Sequence, residues 1–191
     1  MRYDTDHKER THQKILKNAA REVRARGLQG PGVAEVMKAS GLTVGGFYKH
    51  FHSREELLAE AIEAGFSDFS EHVLDKLTEV PAGERWKQIV RWYLTAEHCE
   101  HPDVGCPVAA LASDVARAKP AIRRRVAGLL KARHQLMTEF MPGKNLAEKQ
   151  RNFMVIFPAM AGALAIARIF PDPADRQAVL DAMRDYLLES F

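Results

Sequence analysis

Apolar residues recur with helical spacing along almost the whole chain, and strand-type alternation is sustained nowhere. Ile15, Leu16, Ala19, Ala20 and Val23 fall on one face of a first helix over about 8–26, stopped by Gly27. Residues 33–39 (VAEVMKA) have the spacing of a short second helix. Gly41 suits a tight helix-to-helix turn because it can take the left-handed conformation. Thr43 then caps a third helix, with Phe47 and Phe51 four apart on its inner face. Two short helices joined by such a turn make a helix-turn-helix, which places a helix in the DNA major groove.

Ser53-Arg-Glu-Glu56 fits a capping box that opens a fourth helix. Leu57, Leu58, Ala61, Ile62, Phe66 and Phe69 continue its apolar stripe with no intervening linker, so this helix reads as a rigid connector. Breakers at 81–83, 102–105, 119–120, 142–143 and 171–173 separate further helical patterns at about 84–99, 107–117, 121–140, 146–169 and 174–189. The prediction is an all-α chain of about nine helices: an N-terminal three-helix helix-turn-helix domain over 1–52 and a helical domain over 53–191.

The string GLTVGGFYKHFHSREELL, residues 41–58, resembles the DNA-binding signature of TetR-family (tetracycline-repressor-like) transcription regulators. The likeness runs from about Lys8 to Ala61, roughly a third of the chain. It implies a C-terminal helical domain that dimerises and binds a small effector, with nine helices in all. By the same resemblance Tyr48 and His50 contact the DNA backbone, and Arg54 matches a phosphate-binding Lys or Arg. The last two long helices, about 146–189, are where the family forms its homodimer. The chain departs from the family in having Pro31-Gly32 where a Thr or Ser caps helix two, and Gly46 where a polar residue is frequent.

Charge sharpens this picture. Residues 1–54 carry 11 Lys/Arg against 5 Asp/Glu, and the remainder carries 17 against 20. A basic excess around a helix-turn-helix is the electrostatic footprint of phosphate binding. In such a motif the N-terminal end of the second helix meets base edges, here Thr43, Val44, Gly45, Gly46 and, one turn on, Lys49. The two glycines let the backbone approach the duplex, Val44 can touch a thymine methyl, and Lys49 can donate to guanine or phosphate. Direct readout is therefore sparse, and the basic first helix (Lys8, Arg10, Lys14) and DNA deformability carry more of the binding. A two-fold dimer requires a palindromic operator.

In the second domain, Ala159, Ala161, Gly162, Ala163, Ala165 and Ala167 form a small-residue set, read either as a close-packed dimer face or as a helix buried in the monomer. Trp92, Tyr93, Met137, Phe157 and Met160 belong to an aromatic and Met-rich group that reads either as core or as the lining of an apolar ligand pocket. Cys106, ahead of Pro107, sits at a helix N-cap. It reads either as a thiol activated by the helix dipole, sensing electrophiles or oxidants, or as an inert buried small residue. The spacing of His98, Cys99, His101 and Cys106 matches no zinc pattern, so no metal and no cofactor are expected. Nucleophile elbow, phosphate loop and HExxH are missing, which excludes the common enzyme signatures and any catalytic assignment. Two cysteines fit a reducing cytoplasm. The uncharged run 152–167 falls short of a membrane span and contains Pro158, so it reads as a buried helix. The function expected is a ligand-responsive repressor, released from operator DNA by a small apolar or electrophilic effector.

Overall fold

A computed structural model describes residues 2–30 and 32–191, with side chains from Asp6 onward. Pro31, part of the expected cap of helix two, lies outside the described residues. The elements are α1 (Arg2–Arg26), α2 (Val33–Ala39), a 3-10 segment (Val44–Lys49), α3 (Arg54–Leu77), a 3-10 turn (Ala82–Glu84), α4 (Arg85–Tyr93), α5 (Ala96–Glu100), α6 (Pro107–Arg117), α7 (Pro120–Thr138), α8 (Leu146–Ala167) and α9 (Pro173–Ser190). The described residues contain no strand.

Three differences from the sequence reading have local causes. The third helix of the N-terminal domain is a six-residue 3-10 segment. Gly45 and Gly46 are poor helix formers, each costing about 1 kcal/mol against alanine, and so short a stretch cannot nucleate an α-helix alone. The stretch expected as one helix over 84–99 is two. The backbone leaves the helical region at Leu94 (φ −95°, ψ 68°), and Thr95 restarts a helix by accepting the His98 N–H on its hydroxyl at 3.2 Å. The first helix begins at Arg2, ahead of its expected start.

The caps fall near the positions read. Ser53 Oγ accepts the Glu56 N–H at 3.1 Å, while the Glu56 carboxylate reaches back chiefly to the His52 N–H and to a lesser extent to that of Ser53. In place of a hydroxyl, the start of α2 is held by Glu35, which accepts the Gly32 N–H at 2.8 Å.

The N-terminal core joins Ile15, Leu16, Ala19 and Ala20 of α1 to Met37, Phe47 and Phe51, and is closed by Leu57 and Ala61 of α3. One turn away, Leu58, Ile62 and Phe66 of α3 pack instead with Val23, Leu28 and residues of α6 and α7. α3 thus presents adjacent faces to two cores. The largest core surrounds α8, whose Phe153, Ile156, Phe157, Met160 and Leu164 are buried. α8 is long and apolar enough to cross a membrane, because it extends past the uncharged run to Leu146, but its buried face packs into this core.

The small-residue set largely follows the second of its two readings, burial within the monomer. Ala161, Ala163 and Ala167 are buried within the monomer, Ala159 and Ala165 are half-buried, and only Gly162 is exposed. A helical repeat of 3.6 cannot bring consecutive small residues to one side. The outward face of α8 carries Met154, Val155, Gly162 and Ile166 instead, followed by Ile169.

Candidate nucleic-acid interface and ligand cavity

The helix-turn-helix is built from a buried hinge. Ser40 donates to the Val36 carbonyl at 2.8 Å, and Asn18 of α1 donates to Ser40 Oγ at 3.0 Å. Gly41 takes φ +72°, which lets the Leu42 N–H return to Met37 at 2.9 Å and close the turn. Phe47 and Phe51 anchor the 3-10 segment from beneath, their ring centroids 5.6 Å apart.

That anchoring decides what points outward. Thr43, Val44, Gly45, Tyr48 and Lys49 are exposed, Tyr48 at 78%. Thr43 occupies the N-cap position but makes no side-chain capping bond, so its hydroxyl is not used there. Gly46 is half-buried, its Cα facing the Met37 methyl. His50 is half-buried: burial first, then His12, Lys8 and Lys49, lower its pKa, and its ring lies 5.9 Å from that of His12. Arg54 donates to the Leu28 carbonyl at 2.8 Å, tying the start of α3 to the loop after α1. Lys8, Arg10 and Lys14 are exposed on α1, and the Lys14 ammonium reaches the Gly41 turn. The structure therefore gathers the predicted DNA residues at one end, with His50 and Arg54 also serving the fold.

Gly45 has an ordinary φ, and a methyl there would meet nothing within 4 Å. Gly45→Ala is expected to stabilise the protein by about 0.5–1 kcal/mol, read as a higher urea midpoint. A lower midpoint would contradict this account of the 3-10 segment.

The second domain encloses a cavity of about 80 Å³ between α3, α4, α7 and α8. Trp92, Tyr93, Met137, Phe157 and Met160 all line it, while Cys106 does not. Cys106 is buried at 1% exposure and forms the N-cap of α6. Its N–H donates to His98 Nε2 at 2.9 Å, and His98 is itself on the cavity wall. Gly105 permits this approach, since a Cβ there would stand 2.7 Å from the His98 ring. An accepting Nε2 carries no proton, so the hydrogen is on Nδ1, which faces the Tyr93 carbonyl at 2.7 Å. Burial, with Arg168 adding to it, lowers the His98 pKa to about 4 despite the bond to Tyr93. Cys99 is also buried, and both thiols are free.

Sequence reasoning placed neither His98 nor Arg133 among the wall residues, though both line the cavity. The signal for Arg133 was available: it is the one charge in the apolar spacing Leu129, Leu130, Arg133, Met137. A wider open cleft of about 510 Å³ lies between α3, α6 and α7 and contains none of the predicted ligand residues.

Comparison with known proteins agrees with this geometry. The model of the family described as "Bacterial regulatory proteins, tetR family" matches residues 15–61, which carry the helix-turn-helix. Residues 15–61 are thus those of a TetR-family DNA-binding region. Over 69 residues the chain is 39% identical to an uncharacterized HTH-type transcriptional regulator, YdgC, of Bacillus subtilis (strain 168). That match covers 36% of this chain and spans about a third (33%) of the relative. Across the whole fold it is similar to a TetR-family regulator from Cytophaga hutchinsonii, with a TM-score of 0.78, 16% identity and 96% of each chain covered. It also resembles FadR from Bacillus subtilis, solved with stearoyl-CoA, with a TM-score of 0.69, 13% identity and coverage of 94% and 98%. The all-α architecture, with its N-terminal helix-turn-helix and C-terminal helical domain, is shared with those structures.

Proposed function

We propose that the protein is a homodimeric transcriptional repressor of the cytoplasm, not an enzyme, which leaves a palindromic operator when a small effector enters the α3/α4/α7/α8 cavity. The observation that carries this reading is the bonding of α6 at both ends. At its N-terminus the Cys106 N–H is held by His98 on the cavity wall. Two turns on, Asp114 accepts the Leu28 N–H at 2.9 Å, in the loop that leads into the helix-turn-helix. Arg54 holds the same Leu28 by its carbonyl. A ligand that displaces His98 or α4 therefore pulls on the residue that fixes the DNA-reading end. Such a ligand shifts DNA affinity by its differential binding to the two arrangements.

Residues 1–52 are the DNA-binding unit in this proposal, and 53–191 the effector and dimer unit. In this reading the mate packs on α8, α9 and the turn between them, where Met154, Val155, Ile166, Ile169 and Tyr186 are exposed. FadR's stearoyl-CoA supports a ligand with an apolar body. Cys106 is buried and off the cavity wall, which favours a reversibly bound effector over an electrophile that must reach the thiol.

The test is selection of genomic fragments by the purified protein, followed by a salt titration of the enriched DNA. The expected result is a shared palindrome whose binding falls steeply with salt. Lys49→Ala is expected to weaken it roughly tenfold and to lower the salt slope by about one. No enrichment at modest salt from effector-free protein would overturn the reading.

A further inference from the structure

Arg133 of α7 is 7% exposed, and among the described residues no carboxylate forms an ion pair with it. One terminal nitrogen donates to the Ser70 hydroxyl, the guanidinium lies 5.2 Å over the Phe69 ring, and Nε has no partner. A guanidinium stays charged in a protein, and a buried charge without a counter-charge is costly. An anion bound beside Arg133 would supply the missing counter-charge.

The surroundings name that anion's character. Arg133 lines the enclosed cavity and also an adjoining open recess of about 310 Å³, which share Phe153 and Phe157 as a wall. No Asp or Glu lines either space, whereas Lys76 stands on the cavity wall and Lys131 in the recess. The Tyr93 hydroxyl is buried on the cavity wall with the Cys106 thiol as its one hydrogen-bonding neighbour among the described side chains, and His134 Nε2 is buried in the recess without a partner among the described residues. Everything else on these walls is aromatic, aliphatic or methionine, apart from His72 and His98.

We infer that the effector is an amphipathic organic carboxylate whose head pairs with Arg133 and whose apolar body lies against Trp92, Phe157 and Met160. This rests on the cavity being the effector site. The guanidinium fork matches a carboxylate in plane, and the Tyr93 hydroxyl supplies a further donor from α4. The enclosed space holds only a few waters, so the ligand's body widens it, moving the wall that contains His98. An unpaired buried cation is thus the reason the empty state yields to an anion.

Octanoate, octan-1-ol and octylammonium test this, read by tryptophan fluorescence and thermal shift on the full-length protein. Octanoate is expected to bind roughly ten- to a hundredfold tighter than octanol, and octylammonium weakest. Arg133→Met is expected to erase the preference for the anion while melting no lower than the parent without ligand, because it removes an uncompensated buried charge. Arg133→Lys is expected to keep part of the preference. Equal binding of octanoate and octanol, no binding of either at millimolar concentration, or a marked drop in the melting point of Arg133→Met that Arg133→Lys restores would each overturn the proposal. Operator binding is measured on the same samples. If octanol releases the DNA as well as octanoate does, the repressor reading stands and the carboxylate falls. If DNA is never bound, the repressor reading itself fails.

Discussion

Phe51→Ala is expected to destabilise the N-terminal domain by about 3–5 kcal/mol and to abolish DNA binding. Phe51 is 1% exposed and sits where α1, the 3-10 segment and α3 meet. Its ring stacks 5.6 Å from Phe47 and 4.6 Å from His12. Removing it leaves a cavity in a close-packed core whose neighbours relax only partly into the space. The 3-10 segment has no capping side chain and two glycines, and it depends on this anchor to hold Thr43, Val44 and Lys49 outward. The measurement is a urea melt together with binding to duplex DNA. An unchanged midpoint with operator affinity intact would show that the segment is held by something else. Phe51→Leu is expected to recover part of both losses.

Acid is expected to weaken the fold through His98. Its pKa falls from the usual 6.5 to about 4 in the folded chain, because burial disfavours the imidazolium. Between those values the unfolded chain binds a proton that the folded chain does not. Stability is therefore complete above pH 6.5 and declines as pH falls toward 4, by at most about 1.4 kcal/mol per unit and about 3 kcal/mol in all. Protonation also removes the acceptor for the Cys106 N–H and so loosens the start of α6. His50, whose pKa is lowered as well, adds to the same trend, so the comparison must be with a variant. His98→Asn is expected to lose stability at pH 7 and to show a shallower decline between pH 6.5 and 4. An identical slope in the two proteins would remove His98 from the account.

The N-terminal third was readable because its information is local. Gly41, Thr43 and the Phe47/Phe51 spacing each act within one turn, and the structure places them at the hinge, the start and the inner face of the DNA-reading segment. The same local reasoning overreached where two local preferences compete. The Gly45-Gly46 pair left the segment as a 3-10 turn, and the Thr95 hydroxyl split a continuous apolar pattern into α4 and α5. For the small residues of α8, composition left open an outward dimer face or burial in the monomer, and the helical repeat turned Ala161, Ala163 and Ala167 inward.

The apolar cavity of the second domain shows the opposite limit. Trp92, Tyr93, Met137, Phe157 and Met160 could be grouped by character, and they share one wall in the folded chain. Their partners could not be found that way. Arg133 meets Ser70 across 63 residues, and Asp114 meets the Leu28 N–H across 86. The periodicity of apolar residues and the turn chemistry determine which segments are helical and which face of each is buried. Those preferences act over a few residues and need no partner. Which buried faces meet is decided only when the helices pack, since contacts at long separation depend on the shapes of both surfaces. In this protein the packing left Arg133 without a counter-charge and joined His98 to Cys106.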